Sequence, residues 1–350
     1  MELGSEYDLD LNKLNISFNN LFHYLESYNC QFFDSGRSAL RHIPFNQNKA
    51  VLLPEFICES VSNCFPSQNI IFYNITEDLQ IDLDDLKRKI TPQVATLYIC
   101  HYFGAVQSTQ ILSYLRRMAD ECGIMIIEDT TQSFFSINHI TGDYIIASIR
   151  KWLPIPLGGV LYTKKTQDLP ALDHIKTSSD NTRSYGMILK NLFLKNELDC
   201  NAKYRQIFTE CEEKLDTSDE ILQISDFSRF LISCIDIPEL IAARRSNYHF
   251  LTSELQKIGL QPVCALAEND CPLVFPLRVK NRDSFRSYLM EHKIYCAVHW
   301  PFDHFRPEFR PMAQKNAETL ISLPIDQRYQ KNDMTYLRDI IFQYGGELLF

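Results

Sequence analysis

Short apolar runs recur along the first half of the chain: Ala50–Leu53, Asn69–Tyr73, Val94–Cys100, Ile124–Glu128, Tyr144–Ala147 and Gly159–Tyr162. They are mostly apolar throughout rather than alternating, the pattern of strands buried on both faces of a parallel sheet. Between several of them the period lengthens to that of a helix. Over Ser108–Cys122, the side chains of Ile111, Leu115, Met118 and Cys122 fall on one face. Ser108 stands where it can cap the start and Gly123 where it can end the helix. Strand–helix–strand order predicts an α/β fold with a doubly wound, mostly parallel sheet. Residues 165–235 read as helices and loops of weak periodicity. Beyond them the pattern predicts a helix through Pro238–Ile258, with Pro238 in its first turn. A strand (Pro272–Val279), a helix (Asp283–His292), a strand (Ile294–His299) and a last helix (Asp333–Tyr344) complete the chain. The expected organisation is a large domain over 15–240 and a small C-terminal α/β domain over 241–350, with 1–14 packing against the latter.

The composition agrees with a globular chain and narrows its partners. Of 350 residues, 45% are apolar and 23% charged, with 35 Lys and Arg against 44 Asp and Glu, a net charge of −9. The acidic balance argues against a general nucleic-acid binder, which needs a basic face to meet phosphates. No apolar stretch approaches the roughly 18 residues that cross a bilayer. The opening MELGSEYDLDLNKL is acidic and has no apolar core, so it does not read as a secretory signal. The 11 cysteines are scattered, without CxxC or zinc-ligand spacing, as expected of reduced thiols in the cytoplasm and of no metal site.

In open α/β sheets ligands bind beyond the carboxyl ends of the strands. Asp129 ends one apolar run, followed by Thr130, Thr131 and Gln132. An acid there needs a partner. A cationic ring nitrogen would serve, and so would the backbone of the next turn. Lys151 follows Ser148-Ile149-Arg150 and precedes a stretch containing Pro154, Pro156, Gly158 and Gly159. A lysine on such a turn can join an aldehyde as a Schiff base. The plainer reading is a surface lysine beside Arg150. Asp34-Ser35-Gly36-Arg37-Ser38-Ala39-Leu40 opens a helix with a glycine and two hydroxyls, suited to a phosphate or to ordinary capping. Neither a GxxxxGK[ST] nor a GxGxxG motif is present. A phosphate cradle, an acid for a ring nitrogen and a lysine for an aldehyde make up the inventory that pyridoxal phosphate requires.

With these residues in order, the chain resembles the fold-type I pyridoxal-phosphate aminotransferases, and more closely the DegT/DnrJ/EryC1/StrS group that includes the nucleotide-sugar aminotransferases. The resemblance rests on MELGSEY, DSGRSAL, LQIDLDDLKRKITPQVATLYICHYFGAVQ with its His101-to-Gly104 segment, IIEDTTQSF, GDYIIASIRKWLPIPLGGVLYT, IAARRSNY, AVHWP and LISLPID. It implies a large cofactor domain and a small C-terminal domain. Lys151 would be the Schiff-base lysine, Asp129 the partner of the pyridinium nitrogen, and Gln132 the neighbour of the ring 3-oxygen. Ser148 and the Gly36–Ser38 loop would hold the phosphate, with Arg37 where the group usually has threonine. Between residues 90 and 162, Lys151 is the only lysine. The residue stacking on the ring aligns near Cys58, with Phe56 and His101 as the other choices. The group's partner-subunit asparagine has Asn247 as its nearest candidate.

The activity the resemblance implies is transfer of an amino group from an amino acid, such as glutamate, to a keto group of a sugar, often nucleotide-linked in this group. A homodimer with active sites at the interface is expected. His299 and Trp300 are candidates for the substrate mouth. The Arg244-Arg245 pair is read either as a neutraliser of substrate charge or as a solvated helix face. Two alternatives share the fold: a non-catalytic or regulatory cofactor-binding protein, and another reaction on a sugar such as dehydration. Lys151 argues against dehydration, because the group's dehydratases carry histidine there.

Overall fold

The computed structural model describes residues 2–136, 140–301 and 310–349. In chain order its strands are β1 (Leu3–Gly4), β2 (Tyr28–Phe33), β3 (Ala50–Pro54), β4 (Ile70–Tyr73), β5 (Val94–Cys100), β6 (Met125–Asp129), β7 (Tyr144–Ala147), β8 (Gly159–Lys164), β9 (Phe275–Arg278), β10 (Ile294–Tyr295) and β11 (Leu320–Leu323). The helices are α1 (Leu21–Tyr24), α2 (Gly36–Arg41), α3 (Glu59–Ser62), α4 (Leu83–Lys89), α5 (Thr109–Cys122), α6 (Asn181–Leu194), α7 (Asn201–Thr217), α8 (Asp226–Ser233), α9 (Ile237–Leu255), α10 (Arg282–Glu291), α11 (Pro311–Thr319) and α12 (Lys331–Gln343). The chain divides into two compact units. The first holds residues 1–5, 45–143 and 239–350, and the second holds 6–44 and 144–238.

In the first unit β3 lies between β4 and β5, and β5 pairs onward with β6; all three pairings are parallel. Leu52, Leu97, Ile126 and Ile127 are wholly buried, as their unbroken apolar runs require. The register sets Cys100 beside Asp129, so β5 and β6 end together. The segments that leave β3, β5 and β6 therefore emerge at one edge of the sheet, carrying Phe56, His101 and the turn after Asp129. Helix α5 forms as its pattern predicts. Ser108 accepts the N–H of Ile111, and Gly123 closes the helix at φ +65°. The C-terminal segments of this unit build a second core in which Leu3 packs with Leu251, Phe275, Phe285 and Leu337. There β9 and β11 pair antiparallel, and β1 pairs parallel with β10.

The second unit is built on β8, flanked antiparallel by β2 on one side and β7 on the other. Helix α2 lies on these strands, and α6 packs on α7. Gly159 begins β8 where no side chain fits: a Cβ there would lie 2.1 Å from the Ser35 carbonyl oxygen. This approach fixes the start of α2 against the sheet.

The predicted strands form within a residue or two, except near the C-terminus. Pro272–Val279 contracts to Phe275–Arg278, and Ile294–His299 to Ile294–Tyr295. The second contracts because its partner β1 is only two residues long, and pairing resumes as a single bridge from Ala297 to Ser322. The helix expected at Pro238–Ile258 runs over Ile237–Leu255 and tightens to a 3-10 turn over Gln256–Ile258. The strand β2 is not foreseen by the pattern, because Asn29, Cys30 and Gln31 interrupt any apolar run and stay only half-buried on an outer strand.

Two glycine substitutions separate crowding from conformation. Gly159→Ala should destabilise by more than about 3 kcal/mol, because a backbone carbonyl cannot yield as a side chain does. Gly123→Ala meets no atom within 4 Å and should cost only about 1 kcal/mol for its left-handed φ. Urea denaturation of the two variants measures the difference.

Candidate active site

The candidate residues fall into two sets, one in each unit. The first begins at Asp129, the last residue of β6 and only 6% exposed. Its Oδ2 accepts the Tyr98 hydroxyl at 2.6 Å, and its Oδ1 accepts the Thr131 N–H at 2.8 Å. The second bond is the turn cap of the plainer reading, so that reading accounts for only one oxygen. Burial first, and then the negative charge of Asp129, push the Tyr98 phenol well above its ordinary range, so it remains a donor. Among the described residues no cation pairs with Asp129.

Gln132 lies three residues on. Its Oε1 accepts the Phe103 N–H at 3.0 Å, and its Nε2 is buried with no hydrogen-bond partner among the described residues. A buried donor left unmade costs about 1–3 kcal/mol. An acceptor that met it would recover this.

His101 is locked. Its Nδ1 accepts the Gln107 N–H at 3.1 Å; a backbone N–H only donates, so the ring proton sits on Nε2, which donates to Glu128 Oε1 at 2.9 Å. The other Glu128 oxygen accepts the N–H groups of Thr141 and Gly142 at 2.8 and 2.7 Å. Both ring nitrogens are thus occupied, and the side chain is wholly buried. Phe56 stacks on Tyr102, with centroids 5.5 Å apart, and packs at 5.0 Å on Trp300. Cys58 precedes α3 and lies 3.0 Å from the Ser60 hydroxyl.

His299 and Trp300 join the same aromatic group. His299 packs edge-on against Phe103 at 5.6 Å and bonds the Ser322 hydroxyl through Nδ1 at 2.8 Å. The arginine pair corrects the sequence reading. Arg244 is 1% exposed and donates to Gln327 and to the carbonyls of Pro272 and Leu273, so it is not part of a solvated face. Arg245 donates to the carbonyls of Asp270 and Asn269. Asn247 is likewise taken up inside its own unit: it is buried and donates to the carbonyls of Ile325, Asp326 and Tyr329.

The second set gathers the phosphate-loop residues and Lys151. Ser35 caps α2 by accepting the Ser38 N–H at 3.1 Å. Both serine hydroxyls donate to Oδ1 of Asp34, at 2.6 Å from Ser38 and 3.1 Å from Ser35. Burial pushes this Asp34 carboxyl up, against the pull of those hydrogen bonds. Arg37 donates to Asp216 on α7 at 2.5 Å, so its guanidinium is engaged there. A Cβ on Gly36 would stand 3.2 Å from the Ser148 Cβ, which puts the loop directly against Ser148. Ser148 precedes the 3-10 turn Ile149–Lys151. Lys151 is half-buried, and no carboxylate or acceptor holds its amine among the described residues. Its neighbour Arg150 turns to α7, forking onto both oxygens of Glu212 at 2.9 and 2.8 Å.

Glu212 has no local sign in the sequence: it stands far along the chain from Lys151, on a weakly patterned helix. Tyr98 was detectable in principle: a hydroxyl in the apolar run VATLYIC must find a partner.

Glu212 makes an acid-side prediction. Burial pushes its carboxyl up, but Arg150 and Arg183 outweigh burial and hold it at about 2, against an ordinary 4.5. Its contribution to stability is then full above pH 4.5 and lost as the pH falls toward 2. Circular dichroism across an acid titration should show Glu212→Gln less stable than wild type at neutral pH, with the gap closing below about pH 4.5. Tyr98→Phe should cost about 1–3 kcal/mol in urea denaturation, by removing a donor from buried Asp129.

Residues 35–141 match the model of the DegT/DnrJ/EryC1/StrS aminotransferase family. No curated protein sequence matches. Among solved structures, the chain is similar to DesV of S. venezuelae, solved in complex with a ketimine intermediate. The TM-score is 0.65 and the identity 17%, over 91% of this chain and 85% of that one. It is similar to the sugar aminotransferase CalS13 from Micromonospora echinospora, with TM-score 0.60 and 17% identity over 89% of this chain and 86% of the other. A third similar structure is NtdA from Bacillus subtilis with bound cofactor PMP, at TM-score 0.63 and 14% identity, over 92% of this chain and 74% of that one. At such identities the structural likeness speaks for the fold, a fold-type I α/β architecture. The matched segment covers residues 35–141 of the 350, and over it the chain is similar to the DegT/DnrJ/EryC1/StrS aminotransferase family.

Proposed function

We propose that the protein is a pyridoxal-phosphate-dependent aminotransferase that moves an amino group from an amino acid, glutamate first, to the keto group of a nucleotide-linked sugar. The observation that carries this reading is the state of Asp129 and Gln132. One is a buried carboxylate with two donors and no cation, the other a buried amide N–H without an acceptor. A protonated ring nitrogen and a ring oxygen would complete both. When bound, pyridoxal phosphate supplies an electron-poor ring that withdraws charge from the carbon bearing the amino group.

Each residue then has one task. Asp129 holds the proton on the ring nitrogen, where the negative charge stabilises it. Gln132 donates to the ring oxygen. His101, with both nitrogens occupied, offers its face to the ring in preference to Phe56, which Tyr102 and Trp300 already flank, and to Cys58. Ser148 and the backbone N–H groups at Gly36 and Arg37 hold the phosphate, the Arg37 side chain and both the N–H and the hydroxyl of Ser38 being engaged elsewhere. Lys151 would hold the cofactor's aldehyde, and its amine, when free, would be the base that takes and returns the proton of the donor α-carbon. His299 and Trp300, beside Phe56 and Tyr102, line the acceptor's path.

In this reading 15–240 is the cofactor-binding domain and 241–350 the small one. Of the segment 1–14, the pairing of Leu3 with Ile294 supports packing of its first residues against the latter, while Asp8, Leu9 and Asp10 contact α6 in the former. The working form is a cytoplasmic homodimer with active sites at the interface.

Borohydride reduction of the protein mixed with pyridoxal phosphate should fix the cofactor on Lys151 by peptide mass spectrometry, and Lys151→Ala should abolish the label. Glutamate should bleach the visible band, and a nucleotide-linked keto sugar should restore it. Asp129→Asn should keep the cofactor yet lose on the order of 10²-fold in kcat. A coloured protein indifferent to every amino donor would instead identify the non-catalytic alternative.

A further inference from the structure

We infer that Glu212 is a positioning residue for Lys151, and that the segment Glu6–Asp10 is a strap holding the lysine turn from both sides; this rests on the reading of Lys151 as the cofactor lysine. Lys151 sits on a three-residue 3-10 turn. Successive side chains leave such a turn about 120° apart. A restraint on Arg150 is therefore also a restraint on the short backbone turn from which Lys151 departs.

Arg150 is fixed by a fork, both guanidinium nitrogens reaching separate oxygens of Glu212 at 2.9 and 2.8 Å. A bidentate pair sets orientation as well as charge. Glu212 does not act alone. Its Oε1 also accepts Arg183 at 2.5 Å, and the other branch of Arg183 reaches Glu6 at 2.6 Å. The Arg183 side chain is only 3% exposed. Without Glu212, two guanidiniums would share a largely water-poor site with one carboxylate between them, a costly arrangement.

From Glu6 the strap runs along α6. Leu9 donates its N–H to the Met187 carbonyl at 3.2 Å, Asn191 donates to Asp8 at 2.7 Å, and Lys195 pairs with Asp10 at 3.0 Å. Lys190 donates to the Glu6 carbonyl. Between these anchors Tyr7 donates its hydroxyl to the carbonyl of Trp152 at 3.2 Å. Both chain neighbours of Lys151 are thus held by one segment: Arg150 through Glu212 and Arg183, and Trp152 through Tyr7.

The test uses the full chain without cofactor. Acetic anhydride labelling across a pH series, read by peptide mass spectrometry, gives the rate at Lys151 relative to the exposed Lys257 and Lys203. Glu212→Gln should change that ratio by about threefold or more and shift the pH midpoint of labelling. Glu212→Asp should restore part of the change, and Tyr7→Phe should move the ratio in the same direction by less. An unchanged ratio and midpoint in both Glu212→Gln and Tyr7→Phe, whatever happens to the melting temperature, would overturn the inference. Should Glu212→Gln fail to fold, Tyr7→Phe decides alone. Borohydride trapping on wild type is scored separately: no cofactor on Lys151 defeats the proposed function, while the labelling ratio still decides whether strap and turn are coupled.

Discussion

A carboxylate sealed at the end of an apolar strand has to be met by donors, and the first unit is arranged around two such groups in succession. Glu128 and Asp129 project to opposite faces of β6. Glu128 is answered in full: His101 and the N–H groups of Thr141 and Gly142 occupy both its oxygens. Through it the imidazole is held in one tautomer and one orientation. Asp129 is answered only by neutral donors, a phenol and a backbone N–H. The same strand end thus supplies one carboxyl group met by an imidazole and two backbone donors, and one met by a phenol and a single backbone donor.

That difference explains which parts were legible in the residues alone. A strand buried on both faces shows itself as an unbroken apolar run, so β3 to β8 could be read directly, and an acid at the end of one stood out. Strand β2 could not be read, because an outer strand tolerates Asn29, Cys30 and Gln31 in half-buried positions. Asp129 and Lys151 are candidates because of their place at or just after apolar runs. Tyr98, Glu212 and Glu128 act through contacts made by folding, and only the requirement that buried polar groups be paired hints at them. Arg244 shows the opposite failure. Two adjacent arginines on a helix suggest a wet face, yet a guanidinium can be buried when carbonyl oxygens and an amide receive its donors.

The phosphate-loop residues show how far family likeness reaches. The segment Asp34–Ser38 does cap a helix and does meet Ser148, as the resemblance implies. The side chains, however, look inward: Ser35 and Ser38 to Asp34, and Arg37 to Asp216.

The pairing of β1 with β10 bears on how the chain is made. Leu3 leaves the ribosome long before its partner Ile294. Until translation reaches that partner, an apolar side chain destined for full burial in the C-terminal core has nothing to cover it. Closure of that core is a late, long-range event, slow by the rule that distant contacts carry the largest loop entropy. For most of the interval between the two, the nascent chain therefore carries this strand without its partner.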